Sequence, residues 1–139
     1  MGKNKVTADK RKSALDKNII ARDLAFLKGR VLGILLFGSQ IDKPTPQSDI
    51  DICIVAKDGE DVELVKEVFR NVDVSRKKYD VHAFSDLPLH IKIAIIEKNE
   101  GIFVPDWPEL GEYFYYFRKL WDGQKHRNEV SKEEILAMM

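Results

Sequence analysis

Two short apolar runs on either side of a turn-rich segment most constrain the fold of this chain. Residues 31–37, Val-Leu-Gly-Ile-Leu-Leu-Phe, are too few for a buried helix, so they predict a strand buried on both faces. From Asp49 onwards, isoleucines alternate with Asp51 and Cys53, and this period of two predicts a second strand. The intervening segment is rich in Pro, Thr and Ser and too short for a helical crossover, so we expect the two strands to be antiparallel.

The rest of the chain alternates between helical and strand patterns. Helices are predicted at about residues 13–28, 61–71 and 87–98, strands at 79–84 and 101–104, an aromatic helix from Pro108, and a last short helix with a capping box at Ser131 and Glu134. We therefore predict an α/β (α+β) fold in which helices flank a small mixed β-sheet. Residues 1–139 are expected to form a single domain, with a core at about 13–121 and a C-terminal tail at 122–139.

Composition excludes several classes of protein. The 139 residues carry 23 basic and 23 acidic side chains, a balance that argues against a protein that coats nucleic acid, so no direct nucleic-acid binding is expected. The single cysteine, Cys53, excludes an internal disulfide framework and is interpreted as a small buried residue. No apolar stretch reaches the roughly 20 residues that span a bilayer, so we expect no membrane association and a cytoplasmic location.

The chemistry of the chain is expected at three aspartates. Asp49 and Asp51 lie two apart on the predicted strand, so their carboxylates project from the same face. Like charges at such short range repel, and a divalent cation such as Mg²⁺ or Mn²⁺ relieves the repulsion. Asp80 lies within the third predicted strand and joins this acidic face if the two strands are neighbours. We therefore predict that all three are catalytic residues and metal ligands.

A phosphate-binding turn is predicted directly after the first strand. Gly38 lets the backbone approach a ligand closely, and the free N–H groups of the following turn can hold phosphate oxygens. Ser39 adds a hydroxyl donor. Carboxylates beside such a turn provide the parts needed for two-metal nucleotidyl transfer.

These motifs resemble those of a known family. Phe-Gly-Ser at 37–39, Ser-Asp-Ile-Asp at 48–51 and Tyr-Asp-Val at 79–81 are similar to the motifs of polymerase-β-type nucleotidyltransferases. More narrowly, they resemble the minimal nucleotidyltransferases of prokaryotes, which are often encoded beside a HEPN-domain protein. The resemblance spans about residues 31–104.

The resemblance implies a fold, a reaction and a partner. The fold would be the polymerase-β-like nucleotidyltransferase fold, with Mg²⁺ or Mn²⁺ as cofactor and ATP as substrate. Gly38, Ser39 and Lys43 would hold the triphosphate, and Asp80 would also help to deprotonate the acceptor. AMP would be transferred to a hydroxyl group, that of a tyrosine on a HEPN-type toxin. The chain would then act as an antitoxin in a hetero-oligomer with that toxin.

Two other functions stay open. Gln40, Ile41 and Asp42 stand where many family members carry a basic residue and a small residue after the Gly-Ser pair. This departure keeps open a catalytically weak binding module that neutralises its partner by covering it. The other alternative is a small-molecule nucleotidyltransferase of the aminoglycoside type.

Five consecutive aromatic residues at 113–117 surround a helix on all sides. A small domain cannot bury every ring, so this helix is predicted to be a protein–protein interface rather than a base-stacking platform. Tyr113, Tyr116 and Phe117 are its expected anchors. His82 shares the predicted face of Asp80 and is interpreted as a structural histidine.

Overall fold

The computed structural model describes residues 17–38 and 48–138, with side chains described up to 126 and at 137. Its elements, numbered in chain order, are α1 (Lys17–Asp23), a 3-10 turn (Ala25–Leu27), β1 (Val31–Phe37), β2 (Ile50–Ala56), α2 (Asp61–Asn71), α3 (Val74–Lys77), β3 (Tyr79–Ala83), a 3-10 turn (Phe84–Asp86), α4 (Leu89–Glu97), β4 (Glu100–Phe103) and α5 (Trp107–Met138). In the part of the chain that is described, no helix combines the length and the apolar character needed to span a bilayer.

Within residues 17–38 and 48–138, the strands form one four-stranded sheet in the order β3-β2-β1-β4. β1 runs antiparallel to both β2 and β4, and β2 runs parallel to β3. The predicted mixed sheet and the predicted antiparallel pairing of the first two strands are therefore confirmed. The parallel pair is joined by α2 and α3, which supply the crossover that such a pair requires.

Both faces of the sheet are covered by apolar layers. One layer packs α1 and α2 on the sheet through residues such as Leu24, Leu64 and Ile54. The other packs α4 and α5 on the opposite face, where Cys53 and Phe84 are fully buried. β1 is buried along almost its whole length, as its uninterrupted apolar run predicts. β2 is buried on both sides from Ile52 onwards, so only its beginning can carry polar side chains toward a ligand.

A buried carboxylate ties α2 to the sheet. Asp61, the first residue of α2, is 1% exposed. One of its oxygens accepts a hydrogen bond from the backbone N–H of Ala56 at 3.0 Å, and the other accepts one from the N–H of Ser85 at 3.0 Å. The helix N-terminus adds a favourable field for this negative charge. Asp61 therefore joins the end of β2 to the turn after β3.

The C-terminal part of the chain differs from the prediction. A separate short helix capped at Ser131 was expected, but a single helix, α5, continues from Trp107 to Met138. A Ser-x-x-Glu pattern caps a helix only where the preceding residues break it. Residues 122–138 contain no proline, and ten of these seventeen residues are Gln, Lys, Arg, Glu, Leu, Ala or Met, which favour continued helix.

The aromatic cluster of α5 belongs partly to the core. Phe114 is buried, and the rings of Tyr113, Phe114 and Phe117 lie 5.8, 5.2 and 5.2 Å from the ring of Phe84. Of the three expected interface anchors, Tyr113 and Phe117 are partly buried and pack against this cluster, so their role in an interface stays a prediction. Tyr115 and Tyr116 remain 58% and 59% exposed.

This division of the aromatic cluster predicts unequal effects of truncation. Phe117→Ala should lower the free energy of unfolding by about 2–3 kcal/mol, because it removes ring contacts and leaves a gap beside Phe84. Tyr115→Ala, the matched control on the exposed side, should change it by less than about 0.5 kcal/mol. Urea denaturation of both variants measures the difference. Equal losses would mean that Phe117 does not belong to the core.

Candidate active site

The pairing of β2 with β3 places two carboxylates side by side. In the parallel register, Asp51 stands opposite Asp80, one step along from the pair Ile50–Tyr79. The antiparallel register of β1 adds Phe37 on the other side of Asp51, so these three residues form one row across the sheet. This confirms the condition on which the predicted role of Asp80 depended, because its strand is a neighbour of the Asp51 strand.

His82 completes a compact group with these aspartates. Its Nε2 atom lies 3.1 Å from Oδ2 of Asp80 and 3.6 Å from Oδ1 of Asp51. Each of the three residues offers one ligand atom, and these atoms all lie within 4.8 Å of one another. Two carboxylate oxygens and one imidazole nitrogen at such spacing form a donor set that fits a divalent cation.

The chain before β3 fixes where Asp80 and His82 lie. Asp73 accepts a hydrogen bond from the N–H of Arg76 and so caps the short helix α3. Lys78 then adopts a left-handed conformation with φ of 59°, which turns the chain into β3. The carbonyl of Lys78 accepts a hydrogen bond from the N–H of Ile50 at 2.7 Å, and this contact begins the β2–β3 pairing.

Gly38 lies against Asp51 at the end of β1. Its φ of +83° lies in the region that favours glycine. A Cβ atom at this position would overlap Oδ2 of Asp51 and lie 3.1 Å from its Cγ. Glycine is therefore required both by the backbone conformation and by the close approach of the carboxylate. Its predicted contact with a triphosphate stays a prediction.

The electrostatics of the group favour a bound cation. Burial, and then the neighbouring charge of Asp80, raise the pKa of Asp51 above its ordinary value, while His82 opposes the shift. The ionised form of Asp51 is thus disfavoured without a positive charge nearby. The side chain of Asp51 is 24% exposed and that of Asp80 is 50% exposed, so the group is open to solvent on one side.

Not every predicted site residue joins this group. Asp49 is exposed and precedes the first residue of β2, and among the described residues it is not part of the three-residue cluster. Ser39 and Lys43 lie outside the described residues. The roles of Asp49, Ser39 and Lys43 therefore stay predictions.

His82 was interpreted as a structural histidine, and the structure places it beside two of the predicted metal ligands. The pattern Asp80-Val81-His82 places the imidazole on the same strand face as the carboxylate, because alternate residues share a face. That signal was visible in the sequence. Its significance depended on the strand register, which brings Asp51 within reach of the same imidazole.

Two other acidic side chains are occupied by structural contacts. Asp61 is held by two backbone N–H groups. Asp23 accepts hydrogen bonds from the hydroxyl of Tyr79 at 2.6 Å and from Nζ of Lys77 at 2.7 Å. Burial alone would raise the pKa of Asp23, but these bonds and the charges of Lys77 and Arg22 together lower it. Burial, with the charge of Asp61, raises the pKa of the Cys53 thiol, which agrees with a buried residue rather than a nucleophile.

The raised pKa of Asp51 predicts a pH-dependent change in stability. In metal-free buffer, Asp51→Asn should raise the free energy of unfolding at neutral pH, because ionised Asp51 destabilises the folded state. The pKa of Asp51 is higher in the folded state than in the unfolded state. The destabilisation by ionised Asp51 is therefore complete at pH values above the folded-state pKa. It should disappear as the pH falls below about 4, the unfolded value.

Thermal melts across this pH range test the expectation. Wild type and Asp51→Asn should differ at neutral pH and converge in acid, whereas the exposed control Asp86→Asn should follow wild type throughout. A variant that is less stable than wild type at neutral pH would contradict the assigned electrostatics.

Solved structures of similar shape come from toxin–antitoxin complexes. A toxin–antitoxin structure with AMP-PNP matches 88% of this chain and 99% of its own, with a TM-score of 0.65 and 17% identity. An MntA–HepT toxin–antitoxin structure has a TM-score of 0.58 and 15% identity, covering 88% of this chain and 97% of the matched one. A third is the tri-AMPylated Shewanella oneidensis HEPN toxin in complex with MNT antitoxin, with a TM-score of 0.59, 15% identity and the same coverage. At these identities the likeness concerns the fold.

Sequence comparison identifies the family. A Methanocaldococcus jannaschii protein, named provisionally as a protein adenylyltransferase, is 42% identical over 99 residues, which cover 70% of this chain and 75% of that protein. Residues 22–107 match the family described as "Polymerase beta, Nucleotidyltransferase". That range includes Gly38, Asp51, Asp80 and His82. The chain therefore belongs to the polymerase-β-type nucleotidyltransferase family and is a nucleotidyltransferase with the fold of the MNT antitoxins.

Proposed function

We propose that this chain transfers AMP from ATP to a hydroxyl group of a partner protein, a tyrosine of a HEPN-type toxin, and acts as its antitoxin. The observation that carries the proposal is the in-register pair Asp51–Asp80, with Gly38 against it at the end of β1. The relative named as a protein adenylyltransferase supports a protein acceptor. The structures with AMP-PNP and with an AMPylated HEPN toxin support the nucleotide and the class of partner.

Asp51 and Asp80 would hold the divalent metal, Mg²⁺ or Mn²⁺. Their carboxylates lie next to each other on adjacent strands. Because burial disfavours the ionised form of Asp51, a nearby positive charge would stabilise that form. Asp49 would complete the metal site from its position just before β2. Gly38 and the turn that the sequence predicts after it would hold the triphosphate through backbone N–H groups, with Ser39 and Lys43 adding side-chain contacts.

The reaction is an in-line substitution at the α-phosphorus of ATP. The acceptor oxygen forms a bond to the α-phosphorus, while the bond from that phosphorus to the bridging oxygen breaks and pyrophosphate leaves. A bound divalent metal would neutralise the charge that develops on the phosphate oxygens. Asp80, the more exposed of the two paired carboxylates, would accept the hydroxyl proton, and its position at the open side of the group suits this role.

The proposal predicts a covalent product on the partner. The chain should be co-expressed with the protein encoded by the adjacent gene, and the intact mass of that protein should then be measured. Wild type should add one or more adenylyl groups. Asp51→Asn and Asp80→Asn should each lower the yield at least about a hundredfold, because each removes a group that stabilises transition-state charge.

Controls separate transfer from simple masking. The variant Asp86→Asn changes an exposed aspartate outside the group, and it should transfer AMP as wild type does. Asp51→Asn should still form a complex with the partner and yet fail to neutralise it. Full neutralisation by wild type without any adduct would contradict the proposal, and it would favour a binding module that covers its partner.

A further inference from the structure

We propose that His82 is itself a ligand of the metal, so that the site has a mixed oxygen and nitrogen donor set and binds Mn²⁺ in preference to Mg²⁺. This inference deepens the proposed nucleotidyl transfer and rests on it for the presence of a divalent cation. It concerns a residue that the resemblance to the family did not include. It also narrows the choice between the two cations named above.

The distances around His82 suit ligation. Bonds of about 2.0–2.2 Å from one metal place two ligand atoms about 3 Å apart at a right angle and about 3.5 Å apart in a tetrahedral arrangement. Nε2 of His82 lies 3.1 Å from the nearer Asp80 oxygen and 3.6 Å from the nearer Asp51 oxygen. These two separations are those of atoms that share one ion, and one ligand atom from each of the three residues lies within 4.8 Å of the others.

The imidazole is held in this orientation by its neighbours. His82 and Asp80 lie two apart on β3 and share one strand face, as the pairing with Cys53 and Asp51 requires. The Phe37 ring and the imidazole pack in an edge-to-face contact, with centroids 5.5 Å apart and planes at 63°. Because Phe37 is the last residue of β1, this contact comes from a strand of the same sheet.

The donor set determines which cation is preferred. Mg²⁺ favours oxygen ligands and gives up its bound water reluctantly. Carboxylate oxygen suits both Mg²⁺ and Mn²⁺, whereas imidazole nitrogen is a ligand of transition metals. Of these two cations only Mn²⁺ is a transition metal, so an imidazole ligand beside two carboxylates favours it. A histidine that only orients Asp80 by a hydrogen bond would leave the metal with oxygen ligands alone, and this difference can be measured directly.

Pulsed electron paramagnetic resonance of Mn²⁺ bound to the full-length chain distinguishes the two roles. A nitrogen atom bonded directly to Mn²⁺ modulates the electron spin echo, whereas a nitrogen that is only hydrogen-bonded to a carboxylate does not do so with comparable depth. We expect nitrogen modulation in wild type and its loss in His82→Gln. His90→Gln, which changes an exposed histidine on α4, is the matched control and should keep the modulation.

Isotope labelling of the unaltered protein makes the test independent of folding of the variant. Wild type grown with ¹⁵N-labelled histidine should show the modulation pattern of ¹⁵N in place of the natural nitrogen pattern. Affinities measured by calorimetry should fall about tenfold or more for Mn²⁺ in His82→Gln and change less than about twofold for Mg²⁺.

The outcomes separate this inference from the proposed function. Bound Mn²⁺ without nitrogen modulation overturns the ligand role of His82, and so does a failure of Mn²⁺ to bind. A modulation that survives His82→Gln assigns the nitrogen to another residue and also overturns it. AMP transfer to the partner alongside any of these results would leave the proposed function standing. Histidine-dependent modulation without transfer would support the ligand role and contradict the function.

Discussion

The parallel register between β2 and β3 is the constraint on which the site depends. It places Asp51 opposite Asp80, and a shift of one residue would move one of these carboxylates to the opposite face of the sheet. That opposite face is the apolar layer that contains Ile54 and Val81, where a carboxylate would be buried without a partner. The hydrophobic pattern of the two strands therefore specifies the register, and the register assembles the site.

The sheet holds together groups that repel each other. Burial and the charge of Asp80 both raise the pKa of Asp51, so the arrangement weakens the fold in the absence of a cation. The apolar layers on both faces and the contacts of Asp61 keep the strand ends in place. A cation bound between these carboxylates would relieve the repulsion, because the same charges attract a metal ion.

Much of this arrangement could be predicted from the sequence. The continuous apolar run of β1 and the alternation in β2 indicated both strands, and the short segment between them indicated an antiparallel pair. Asp51 and Asp80 could be proposed as partners because each lies on a strand with a clear period of two. That β3 lies beside β2 was not contained in any local pattern, and only the resemblance to a family supported that pairing.

Other features depend on tertiary packing, which local patterns do not report. The rings of Tyr113 and Phe117 pack on Phe84, a residue that ends the predicted third strand and instead begins a 3-10 turn. The composition of α5 could not tell which aromatic residues face the core. The contact of His82 with Asp51 could not be read from a local pattern for a similar reason, because it follows from the pairing of two strands far apart in the sequence.

Diffraction from crystals grown with Mn²⁺ and AMP-PNP would show where the cation binds, because the anomalous signal of manganese locates the ion independently of any assumed chemistry. We expect an anomalous peak within bonding distance of the carboxylates of both Asp51 and Asp80, beside the phosphates of the nucleotide. Nucleotide density with the manganese peak away from both aspartates would contradict this expectation.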